Sequence, residues 1–122
     1  MCGLAGVWNN QGLDLEELMP RMNQSLIHRG PDSQNFWVGK DNTVALGHTR
    51  LAIVDISDNG SQPMHSVSER YIIVFNGEIY NHLDLRDELE LINSSIAWRG
   101  HSDTETILNS INNRLNDYEQ YI

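Results

Sequence analysis

YIIVFNGEIYNHLDLRDELELI, residues 71–92, passes from a continuous apolar run, through an Asn-Gly pair, into a segment whose leucines recur at helical spacing. A run of β-branched and aromatic residues without polar alternation reads as a strand covered on both faces. Leu83, Leu85, Leu89 and Ile92, with acidic residues between them, predict a helix from about Asn81 onward. Covered strands beside helices require stacked layers, so the stretch points to an α+β domain.

Upstream, residues 51–54 (LAIV) form a second apolar run that reads as another covered strand, and the polar residues 55–68 between the two runs read as a long surface loop. Residues 35–39 and 44–47 suggest a hairpin around residues 40–43. Residues 3–8 (GLAGVW) are small and apolar and predict a buried strand almost at the start of the chain. Asp14 is placed to cap a helix whose apolar positions are Leu15, Leu18, Met19, Met22 and Leu26, with Pro20 as a site of kinking or delayed start. Downstream, residues 95–98 suggest a short strand. A further helix follows, capped by Ser102 or Asp103 and carrying Ile107, Leu108, Ile111 and Leu115.

A chain of 122 residues suffices for one domain with a hydrophobic core and is short for two, so 1–122 is read as a single domain. Eight Lys+Arg against seventeen Asp+Glu give a net charge of -9, with the basic residues scattered, which argues against nucleic acid and anionic membrane surfaces as partners. No eighteen-residue apolar stretch and no signal-peptide pattern can be read, so the expected location is the cytoplasm. The single cysteine excludes an internal disulfide and a Cys-rich zinc site, and the irregular spacing of the five histidines gives no metal site.

That cysteine is Cys2. Removal of Met1 would make it the N-terminal residue, and a free α-amino group beside a thiol can accept its proton near neutral pH, directly or through one water. The alternative is a small buried hydrophobe. Asn76 and Gly77 follow an apolar run, where a side-chain amide and an unshielded backbone N–H could converge on one oxygen as an oxyanion hole; the alternative is an Asn-Gly hairpin turn. Arg50, at the edge of the LAIV run, suits bidentate grip of a carboxylate. Asp103 suits an ammonium group or the cap of a helix. Together Arg50 and Asp103 supply the two charges that complement a zwitterionic amino acid.

Six blocks occur in order: MCGLAGVW from Met1, HRGPDS from His28, GHTRLAIVD from Gly47, QPM from Gln62, FNGEIYNH from Phe75 and RGHSDTE from Arg99. They resemble the N-terminal glutaminase domain of the asparagine synthetase family, among the class II glutamine amidotransferases with an N-terminal nucleophile. The resemblance implies a four-layer αββα sandwich of the N-terminal nucleophile hydrolase type, incomplete at its C-terminus because the family's domain continues with further strands. It implies hydrolysis of L-glutamine to glutamate and ammonia through a thioester on Cys2, with Asn76 and Gly77 stabilising the oxyanion. Arg50, Leu51, Ile53, Val54, Asn76, Gly77, Glu78 and Asp103 would bind the substrate. No cofactor is expected in this chain, because ATP and magnesium belong to a synthetase domain that these 122 residues do not include. That synthetase domain or subunit would receive the ammonia, and strands left without their usual cover suggest a homo-oligomer. A non-catalytic glutamine-binding or assembly module of the same family is the alternative function.

Overall fold

The computed structural model describes residues 1–9, 11–53 and 56–119. In chain order the elements are β1 (Gly3–Trp8), α1 (Leu15–Ser25), β2 (Ser33–Val38), β3 (Val44–Arg50), a 3-10 turn (Asp58–Gly60), β4 (Met64–His65), β5 (Ile72–Ile73), α2 (His82–Ile92) and α3 (Asp103–Glu119). This is an α+β arrangement with two antiparallel sheets, one of three strands in the order β1-β3-β2 and one formed by β4 and β5. Among the described residues no helix is long and apolar enough to cross a membrane.

The chain divides into two compact units. The first comprises residues 1–53, 61–63 and 74–76, and the second residues 54–60, 64–73 and 77–122.

In the first unit, strand alternation sorts the three-stranded sheet into two faces. Ala5, Val7, Phe36, Val38 and Ala45 pack with Leu15, Leu18, Met19 and Met22 of α1. The register places Ala5 and Phe36 opposite Gly47, and Val7 and Val38 opposite Ala45. α1 can approach so closely because of Gly47, where a Cβ would lie 2.3 Å from Asn23 Oδ1. Asp14 caps α1 through Glu17 N–H, and Asn23 Nδ2 donates to Asn35 O at 2.8 Å. The expected α1 is therefore present, and it runs through Pro20, which stands exposed on its outer side. The opposite face of the sheet carries Leu4, Asn35 and His48 at one level and Trp8 and Val44 at another.

In the second unit, β4 and β5 pair Met64 with Ile73, and α2 packs against α3. Leu89 and Leu108 are buried there.

Five local expectations are corrected. β1 is a strand where expected but not a buried one, because alternate residues face outward and Leu4 and Trp8 are 45% and 91% exposed. The LAIV run is not a strand over Leu51–Ile53, because β1 starts at Gly3 opposite Thr49 and offers no ladder partner beyond it. Side chains take the backbone groups instead: Cys2 Sγ meets Leu51, and Asp32 Oδ2 accepts from Ala52 N–H at 2.8 Å. In residues 71–75 only Ile72–Ile73 is strand, since Phe75 N–H donates to the Gln62 side chain at 2.6 Å. Residues 55–68, read as loop, contain the 3-10 turn and β4 among their described members. Residues 95–98 form no strand; Ser95 turns back onto Asn93 Oδ1, and Trp98 lies over Arg86.

Candidate active site

Cys2 lies just before β1, half-buried, as a free thiol. Its sulfur accepts from Leu51 N–H at 3.3 Å and lies 3.7 Å from Leu51 O. This brings the cysteine at position 2 against the residue that follows Arg50. The neighbouring Met1 is 73% exposed, so the bond preceding Cys2 is open to a processing enzyme.

The contact is built from below by Thr49. Its hydroxyl accepts from Gly3 N–H at 3.2 Å and donates to Leu26 O at 3.1 Å, tying the start of β1 to the end of α1. Residues 30–32 of the HRGPDS block support the other side. Gly30 is buried against the Thr49–Arg50 backbone, Asp32 N–H donates to Arg50 O at 2.9 Å, and Pro31 bridges to Arg50.

Arg50 closes β3 and is buried, at 8% exposure. Leu51 is half-buried, whereas Ile53 is 73% exposed. Val54 lies outside the described residues. Asn76 is exposed directly after Phe75, whose backbone is fixed by Gln62. The hairpin alternative for Asn76-Gly77 fails: a type I′ turn requires positive φ at both central residues. Among the described residues positive φ occurs at Asn42, Glu69 and Gly12.

His48, next to Thr49, points to the face of the sheet away from α1 and is 1% exposed. Burial pushes its imidazole below the ordinary value of 6.5; the Phe75 backbone opposes this shift and the positive charge of Arg50 adds to it. The Phe75 interaction falls short of hydrogen-bond geometry, since neither ring nitrogen has a bonded partner.

Gly77, Glu78 and Asp103 belong to the second unit. Gly77 and Glu78 are exposed. Asp103, the first residue of α3, is buried at 9%, and its Oδ2 accepts from Ile79 N–H at 2.9 Å. Capping of α3 falls to Ser102, whose hydroxyl accepts from Thr104 N–H at 3.1 Å. The Asp103 carboxylate is thus committed to the segment that follows Gly77 and Glu78, not to its own helix.

Two groupings result: Cys2 with Leu51 beside Arg50 in one unit, and Asp103 with Ile79 in the other. Sequence reasoning missed Asp32, Thr49 and Gln62 as the residues that hold these parts in place. All three sit inside blocks that drew attention for other reasons, so the blocks were the available signal.

The sequence profile of the glutamine amidotransferase domain matches residues 1–118. The chain is 46% identical over 112 residues to glutamine-hydrolyzing asparagine synthetase 1 of Bacillus subtilis, covering 88% of this chain and 17% of that protein. It is 36% identical over 128 residues to a putative glutamine-hydrolyzing asparagine synthetase of Methanocaldococcus jannaschii, covering 92% of this chain and 24% of that one. A probable glutamine-hydrolyzing asparagine synthetase of Schizosaccharomyces pombe is 39% identical over 113 residues, with coverages of 88% and 19%. The chain therefore spans less than a quarter of the length of these relatives. With the profile matched across nearly all of its residues, the chain belongs to the glutamine amidotransferase domain family.

Proposed function

We propose that this chain is the glutaminase part of an asparagine-synthetase-like amidotransferase, acting on L-glutamine in the cytoplasm and passing ammonia to a synthetase domain or subunit. The observation that carries the reading is the contact of Cys2 Sγ with the Leu51 backbone, immediately after the buried Arg50, in a chain of this family.

With Met1 removed, the Cys2 amine takes the thiol proton as sulfur attacks the amide carbon of glutamine. The oxyanion so formed is stabilised by the Asn76 amide and the Gly77 N–H. Collapse of the tetrahedral species expels ammonia, which carries off the proton held by the amine. Water then attacks the thioester, giving glutamate and restoring the thiol. Arg50 grips the α-carboxylate, Asp103 and Glu78 hold the α-ammonium group, and the 51–54 segment lines the substrate. Fixing the amide carbon over the thiol contributes several kcal/mol to such reactions.

In this reading residues 1–122 are one amidotransferase domain, the start of a four-layer αββα sandwich, and strands left without their usual cover favour a homo-oligomer. ATP and magnesium would serve the synthetase domain, and this chain would need no cofactor.

The test is glutamate release from L-glutamine by the Met1-free chain and by Cys2→Ala. Loss of at least about 1000-fold in the variant is expected for removal of a nucleophile. Equal rates would remove Cys2 from the mechanism, and glutamine binding without turnover in the parent would favour a non-catalytic binding module.

A further inference from the structure

Residues 99–103 (RGHSD) lead into α3 and end in Asp103, and their shape is set by buried charges for which the proposed chemistry has no use. From α2, Arg86 reaches across at 8% exposure. Its Nη1 donates to Gly100 O and its Nη2 to Ser102 O, both at 2.8 Å, and its Nε donates to Thr106 Oγ1 at 2.9 Å. The fork therefore clasps the carbonyls on either side of His101. From α3, Glu105, 1% exposed, accepts the backbone N–H groups of Arg99 at 2.7 Å and Gly100 at 2.9 Å, one on each carboxylate oxygen.

Between the two charges, Nη2 of Arg86 stands 3.7 Å from Glu105 Oε2, longer than a close bidentate pair. Trp98 covers the guanidinium with its ring centroid 4.1 Å away and anchors its own Nε1–H on Glu90 at 2.7 Å. Buried charges of this kind seldom add net stability over apolar residues of equal volume. Here their hydrogen bonds go chiefly to the backbone of one turn, so what they supply is a fixed shape. The residue delivered by that shape is Asp103, whose carboxylate in turn holds Ile79 N–H.

We infer that Arg86 and Glu105 are positioning residues for recognition of the substrate ammonium group: they clamp residues 99–103 so that Asp103 and the Ile79 segment stand as one rigid receptor. This rests on the reading of Asp103 as the ammonium partner. Arg86→Lys keeps the charge and loses the planar fork.

The experiment compares the full chain with Arg86→Lys and Asp103→Asn by two readouts. In the first, hydrolysis is followed with L-glutamine and with glutaramate, which keeps the amide and carboxylate but lacks the α-amino group. The expectation for Arg86→Lys is a KM for L-glutamine raised about tenfold, kcat within about twofold, and unchanged kinetics with glutaramate. Equal losses on both substrates, or no change on either, would overturn the inference. In the second, hydrogen exchange at the Ile79 amide should quicken in Arg86→Lys, while amides within α2 and α3 stay protected. Unchanged Ile79 exchange would overturn the clamp whether or not the chain turns glutamine over. An unaltered glutamine KM in Asp103→Asn with quickened Ile79 exchange in Arg86→Lys would instead overturn the role of Asp103 and with it the inference about the ammonium group. If Arg86→Lys does not fold, Glu105→Gln is read by the same two measurements.

Discussion

At the scale of single residues, the site in the first unit depends on a glycine that touches no substrate in the proposed reading. A Cβ at Gly30 would lie 2.3 Å from the carbonyl carbon and oxygen of Thr49 and 2.5 Å from Arg50 N. These are backbone atoms of β3, which cannot swing aside as a side-chain tip can. Gly30→Ala should therefore cost about 1–3 kcal/mol in urea unfolding, as overpacking does, and lower glutaminase activity by shifting Arg50 and Leu51. His48 gives a pH signature. Its imidazole is held below its ordinary value in the fold, so the unfolded chain binds the proton more readily. The stability this group contributes is present above about pH 6.5 and is lost as pH falls toward the folded value. The urea midpoint of the parent should drop between about pH 7.5 and pH 5.5, and His48→Leu should flatten that part of the profile; parallel profiles would place the proton elsewhere. Residue types and order sufficed to single out Cys2, Arg50, Asn76 and Asp103. Thr49, Asp32 and Gln62 were not legible as supports because their partners, Leu26 O, Ala52 N and Phe75 N, are backbone atoms that no side-chain pattern reveals.

At the scale of elements, amphipathic period served well where a helix could bury one stripe. α1 buries Leu15 and Met19 and α3 buries Leu108 at positions the period selected, but of the four selected in α2 only Leu89 is buried: Leu83 and Ile92 stand 63% and 65% exposed, and Arg86 takes the inward place beside Leu89. Pro20 was the expected blemish, and the helix tolerates it because an exposed position lets water solvate the carbonyl left without its donor. Pro20→Ala restores that N–H, and a gain of about 1–3 kcal/mol in thermal unfolding is expected; a loss would mean that the ring is packed in the native state. Apolar runs were a poorer guide to strands. LAIV carries the composition of a covered strand, but pairing needs a neighbour, and β1 begins at Gly3 opposite Thr49, so the ladder stops at Arg50. YIIVF narrows to two paired residues for the same reason, with Gln62 taking a donor that a strand would use. In both cases a side chain satisfied backbone groups that the apolar pattern had assigned to a sheet.

At the scale of the whole molecule, exposed apolar surface and charge act against each other. In the first unit, Trp8 is 91% exposed and Leu4 45% exposed on the sheet face away from α1; in the second, Tyr80 and Leu91 stand at 90% and 89%. Large apolar side chains left in water favour association. The net charge of -9 opposes it through mutual repulsion of the copies. Repulsion between exposed charges is screened by salt, with a Debye length falling from about 30 Å at 0.01 M to about 8 Å at 0.15 M, whereas apolar burial is not weakened by such concentrations. Self-association of the isolated chain should therefore strengthen as salt is raised across that range, which sedimentation velocity at fixed protein concentration will read as a rising mean sedimentation coefficient. Trp8→Ser should reduce the rise while changing unfolding stability by no more than about 0.5 kcal/mol, because the indole is already in solvent in the single chain. A monomer unaffected by salt would count against the proposed homo-oligomer, and a salt response identical in Trp8→Ser would move the contact away from this sheet face.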